Sequence, residues 1–103
     1  MAKLLVSDDG VIEFINDSTS PVYLWSVEFS YEADVEREEE RGERKRIKKI
    51  INESIKVKEE IKPHGAWRFS TGLPRDSIIE VRAYYKEQGR FKRIITRIEA
   101  HTS

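Results

Sequence analysis

Residues 77–100 read SIIEVRAYYKEQGRFKRIITRIEA, and this stretch decides the fold class. Apolar side chains fall on alternate positions, Ile79, Val81, Ala83 and Tyr85. After Glu87-Gln88-Gly89-Arg90 a second alternation runs Ile94, Thr96, Ile98 and Ala100. Folding the two runs about Gln88-Gly89 sets Ile79 opposite Ile98, Val81 opposite Thr96 and Ala83 opposite Ile94. The other face then pairs Glu80 with Arg97 and Tyr84 with Arg93. One register satisfies both faces, and a one-residue slip would turn the apolar set outward. The stretch therefore predicts an antiparallel hairpin with one buried face, and so a sheet protein.

Working outward, residues 22–31 form the longest apolar alternation. Tyr23, Trp25, Val27, Phe29 and Tyr31 are expected on one face, with Ser26, Glu28 and Ser30 on the other. Large β-formers in that number predict a central strand whose aromatic rings, Trp25 included, pack in the core. Val22 and Leu24 make both faces apolar at its start. Upstream, residues 4–6 and 11–15 are short apolar runs separated by the Asp9-Gly10 turn signal. Downstream, residues 47–51 regain strand character. Ile55, Val57 and Ile61 then alternate with charged residues until Pro63-His64-Gly65, and Trp67 and Phe69 supply another short apolar face, also expected in the core.

Between these lies a segment with almost nothing to bury, in which Ala33 and Val35 are the only apolar residues of 32–46. A helix without an apolar stripe has nothing to dock, and Gly42 weakens it further. A charged hairpin about Arg41-Gly42, or a loop, fits residues 34–46 better. The hairpin would set Glu38, Glu39 and Glu40 opposite Arg44, Lys45 and Arg46, where opposite charges attract across strands.

The sum is all-β: an antiparallel β-sandwich of about seven strands in one domain spanning 1–103, with one long charged arm or loop. Its order of features resembles immunoglobulin-like or fibronectin-type-III-like modules. The points of likeness are the turn at residues 16–21 before an aromatic strand, Ile61-Lys62-Pro63 before the Trp67 strand, and a closing hairpin. The resemblance implies a binding or spacing unit and carries no functional residue across.

Composition limits the chemistry. The chain has no cysteine, which excludes disulfides, thiolate metal sites and cysteine nucleophiles. No apolar run is long enough for a signal peptide or a membrane span, so a cytoplasmic protein is expected. Asn16, Asn52 and Gln88 are the only amide side chains amid abundant Lys, Arg and Glu, a balance associated with thermophiles. His64 and His101 are far apart without ligand-spaced neighbours, so neither a metal nor any other cofactor is expected. No nucleophile elbow or phosphate-binding glycine loop occurs, which argues against an enzyme and leaves no small-molecule substrate in view.

The net charge of zero conceals a segregation: residues 1–43 hold twelve acids and three bases, residues 44–103 seven acids and sixteen bases. Five bases stand within residues 44–49: Arg44, Lys45, Arg46, Lys48 and Lys49. With Arg82, Arg93 and Arg97, and with Tyr84 as the candidate exposed aromatic, they form the expected binding surface. The predicted role is non-catalytic: a protein partner or self-association first, nucleic acid on the basic run second.

Overall fold

The computed structural model describes residues 1–38, 42 and 44–99. Its strands are β1 (Ala2–Val6), β2 (Val11–Asn16), β3 (Val22–Glu38), β4 (Arg44–Ile61), β5 (Ala66–Ser70), β6 (Ile78–Glu87) and β7 (Arg90–Arg97), with one 3-10 turn at Arg75–Ser77 before β6. They form two antiparallel sheets, β1-β2-β5 and β4-β3-β6-β7, and neither sheet closes on itself.

The β6–β7 hairpin adopts the register read from sequence. Glu80 faces Arg97, Val81 faces Thr96, Ala83 faces Ile94 and Tyr84 faces Arg93. Gln88 and Gly89 both have positive φ, 49° and 76°, which suits the right-handed twist of a two-residue hairpin. The Ile98 amide donates to the Ile79 carbonyl, carrying the ladder past the end of β7.

The sheets face each other across one apolar cluster. Leu4, Ile12 and Phe14 come from the three-stranded sheet, and Val22, Leu24, Val27, Phe29, Val81, Ala83 and Tyr85 from the four-stranded one. Ring contacts cross the gap between Phe14 and Tyr85 at 5.3 Å and between Phe29 and Phe69 at 6.3 Å. Trp67 is half-buried at the margin, stacked on Phe69 and packed against the cluster.

Two polar devices join the sheets. The Asn16 side chain is fully buried, and its Nδ2 donates to the carbonyls of Ser20 and Ile61 at 2.9 Å each. Its Oδ1 accepts from the Ser18 amide and hydroxyl, so the buried amide has a partner for every polar atom. At the opposite side the Thr96 hydroxyl donates to the Leu4 carbonyl at 2.8 Å, tying β7 to β1. Gly10 ends the β1–β2 turn with φ of 77°, and a Cβ there would lie 1.8 Å from the Leu73 carbonyl oxygen.

Trp25 corrects the sequence reading. It is 48% exposed, not a core residue. The cause is a bulge: Leu24 pairs with Tyr85 and Ser26 with Tyr84, which leaves Trp25 as an extra residue in the ladder to β6. A bulge shifts the alternation by one, so Leu24 and Val27 both face the core while Trp25 turns outward. Opposite the same point on β4, Lys58 has φ of 50°. Of the five residues expected on one face, Val27 and Phe29 are buried and Tyr31 is half-buried against the core, whereas Tyr23, on the far side of the bulge, faces outward with Trp25.

The described part of the charged segment is strand on both sides. It continues β3 and β4 as a two-stranded ribbon beyond the last β3–β6 pair, Tyr31 with Ile78. Asp34 faces Lys48, Glu36 faces Arg46, and the backbone of Glu38 faces that of Arg44. The expected hairpin is thus seen to Glu38, but its register differs: Arg46 faces Glu36 and the backbone of Lys45 faces that of Arg37, so only Glu38 with Arg44 matches the expected opposition. Glu39, Glu40 and Arg41 lie outside the described residues, as does His101. With the ribbon, the molecule measures 60 × 29 × 18 Å.

Candidate aromatic and basic face of the four-stranded sheet

The outer face of the four-stranded sheet brings together part of the expected surface and adds residues that the sequence reading missed. Strand alternation places Arg82 and Tyr84 of β6 and Arg93 and Arg97 of β7 on this face, though Tyr84, expected to be exposed, is half-buried there. The bulge adds Trp25 beside Ser26, whose register partners are Tyr84 on one side and Lys56 on the other. Phe91, opposite Lys86, completes it and is 76% exposed.

These residues enclose an open hollow lined by Trp25, Ser26, Glu28, Tyr84 and Phe91. Its walls are held by ring contacts. Tyr23 lies against Trp25 with ring centroids 5.9 Å apart. The Lys58 ammonium sits 5.5 Å from the centre of the Trp25 ring, and that of Lys86 sits 5.3 Å from the centre of Phe91. Such contacts stabilise exposed pairs by only about 0.5–1 kcal/mol. They do fix where the cations stand: one beside each exposed ring.

Toward the ribbon the face becomes an ion-pair network. Arg82 bonds Glu80 at 2.6 Å, lies 3.9 Å from Glu28 and donates to the Ser30 hydroxyl. Arg97 bonds the second oxygen of Glu80 at 3.2 Å. The hydrogen bond from Arg82, with help from Arg97, holds the Glu80 carboxyl below its ordinary value, against an upward push from burial. Arg82 and Arg97 are thus engaged within the fold. Arg93 differs, having no carboxylate within 4 Å among the described residues, and the same holds for Lys56.

The basic run of residues 44–49 is elsewhere. Lys45, Arg46, Lys48 and Lys49 are exposed along the ribbon, Lys49 three and Arg46 six residues of strand beyond Asn52, which pairs with Ser30. At about 3.4 Å per residue the run thus starts roughly 10 Å beyond that pair and reaches roughly 20 Å at Arg46. The register also sets Asp34 and Glu36 against Lys48 and Arg46, so the run and the sheet face are separate surfaces.

Both missed residues left a trace. Phe91 shares parity with Arg93 and Arg97, and so belongs to their face by the same pairing rule. For Trp25, the three-residue interval from Leu24 to Val27 breaks a strict alternation and marks a bulge. Comparison with protein-family models, curated proteins and solved structures finds no match to this chain.

Proposed function

We propose that this protein is an immunoglobulin-like or fibronectin-type-III-like β-sandwich module that works by binding, and that its contact surface is the outer face of the four-stranded sheet. The architectural part is supported by a three-stranded and a four-stranded antiparallel sheet over one core, with β2–β3, β4–β5 and β5–β6 crossing between them. The functional part is carried by one observation: four aromatic rings, Trp25 and Phe91 exposed and Tyr23 and Tyr84 half-buried beside them, gather on a face turned away from the core. A fold needs apolar residues inward, and a large exposed apolar group rimmed by charge is the ordinary mark of an interaction site.

A photo-crosslinking residue in place of Phe91 tests this in the cell of origin, with one in place of Leu5 as control. Leu5 is 49% exposed on the other sheet. The proposal expects a discrete adduct from the Phe91 position and none from Leu5, and an adduct with a second copy of the chain would identify self-association. Adducts from both positions alike, or from neither, would refute it.

A further inference from the structure

We infer that the aromatic face binds single-stranded nucleic acid, its exposed rings stacking on bases and its flanking cations meeting phosphates. The inference rests on the reading of this face as the contact surface and adds the chemical class of the partner. Three observations carry it. The first is the exposure of Trp25 and Phe91, with Tyr84 between their strands, so that flat apolar surfaces are offered on one side of a sheet. Stacking on such rings needs no particular base, because every base has a π-face.

The second is the disposition of charge. Lys58 and Lys86 stand over Trp25 and Phe91, and in the bound state these flexible side chains swing from the ring faces to the phosphates. Lys56 and Arg93 flank the row that contains Ser26 and Tyr84. At about 4.8 Å between strands, the row from Lys56 to Arg93 spans roughly 14 Å. Against these four cations stand two carboxylates: Glu60, opposite Tyr23, and Glu28, which lies near Arg82. The surplus around the hollow is positive although the whole chain is neutral. A neutral saccharide would use the rings but not the cations, and an acidic peptide the cations but not an array of rings. An unstacked polyanion uses both.

The third is the openness of the hollow. A duplex presents its bases edge-on inside its grooves, whereas bases of a single strand can lie flat on an exposed ring. Glu28 and the Ser26 hydroxyl, which line the same hollow, add polar atoms that a base edge can meet.

The test is fluorescence anisotropy of a labelled oligo(dT) of roughly 12 nucleotides, within the ~4–16-nucleotide span of comparable single-strand sites. Duplex DNA, inorganic polyphosphate and cellohexaose serve as competitors of the oligonucleotide for the protein of residues 1–103. The inference expects oligo(dT) to bind and the other three to compete poorly. Trp25→Ala should weaken binding about 5- to 150-fold, the range for loss of one stacked base. Lys86→Glu with Arg93→Glu should weaken it further and flatten the salt dependence, whose slope with the four cations engaged is about −3. All the substituted side chains lie on the outer face, and thermal melting verifies that each variant is folded.

Equal competition by polyphosphate, with Trp25→Ala neutral, would reduce the face to a charged patch and overturn the inference. So would a preference for duplex DNA or cellohexaose. Failure of oligo(dT) to bind while the Phe91 crosslinker captures a protein would refute the nucleic-acid partner and leave the contact surface standing. Failure of both would remove the contact surface as well.

Discussion

Asn16 is the residue whose loss the structure prices most directly. Asn16→Ala removes two donors and one acceptor from a fully buried site and leaves the backbone bonds of residue 16, to Gly65 and from His64, in place. The change therefore isolates the side chain. The Ile61 carbonyl loses its Asn16 partner in a buried setting, which costs about 1–3 kcal/mol. The Ser20 carbonyl and the Ser18 amide are only part-buried and can recruit water, so about 0.5–1 kcal/mol each is expected. A small cavity adds to this, for a total of roughly 3–5 kcal/mol against the ~5–15 kcal/mol of a typical domain. Guanidinium unfolding followed by far-ultraviolet circular dichroism measures it. Asn16→Asp sharpens the test, because a carboxylate has no donor and would face two carbonyl oxygens. Its folded pKa must be raised above the unfolded value, so its deficit should be full at neutral pH and shrink as pH falls through that folded pKa. A loss below about 1 kcal/mol for Asn16→Ala, or a deficit of Asn16→Asp that does not change with pH, would refute the latch.

Gly10→Ala should be among the most damaging small substitutions, since it adds a methyl 1.8 Å from the Leu73 oxygen at φ of 77°; chemical denaturation should show a loss of at least ~2–3 kcal/mol, whereas Gly89→Ala, with open space around its Cβ, should cost less. Glu80 is held below its ordinary value of 4.5 by Arg82 and Arg97, so its contribution is complete above that value and lost as pH falls through the depressed one. The stability gap between the parent and Glu80→Gln, followed by thermal melting against pH, should accordingly narrow on acidification, and a gap that widens would sink the assignment. Joining Ala33 to Lys49, which are register partners, through Asn-Gly removes the ribbon at a position where a two-residue turn fits. The shortened chain should stay folded within about 2 kcal/mol of the parent by the same denaturation assay, because the ribbon's cross-strand pairs contribute only tenths each. Oligo(dT) binding should survive that deletion, and its loss would move the contact surface from the sheet to the basic run.

What the sequence made legible depended on whether two faces constrained one register. In the β6–β7 hairpin they did, and the pairing of Glu80 with Arg97 and Tyr84 with Arg93 could be read from residue spacing alone. The ribbon was legible through its charges, since acids on β3 and bases on β4 have few other partners within reach. β4 was harder: Asn52-Glu53-Ser54 interrupts the apolar pattern, and only the backbone of β3 alongside shows that one strand runs from Arg44 to Ile61, with a single irregularity at Val57-Lys58. Trp25 was misread because an alternation rule assumes constant phase, and a bulge is a change of phase whose cause lies in the neighbouring strand.

That misreading bears on function. The bulge keeps Leu24 and Val27 in the core on either side of an odd interval, and this is all that folding requires of position 25. A small or polar residue there would satisfy the ladder equally well and would expose less apolar surface to water. Tryptophan at an outward-turned bulge, within ring contact of Tyr23 and under the Lys58 ammonium, is therefore not explained by core packing. The same reasoning applies to Phe91, where the hairpin needs only a residue opposite Lys86 and receives a large ring. Two exposed aromatics that the fold does not need, on one face and each with its own cation, are the part of this sequence that the proposed partner would account for.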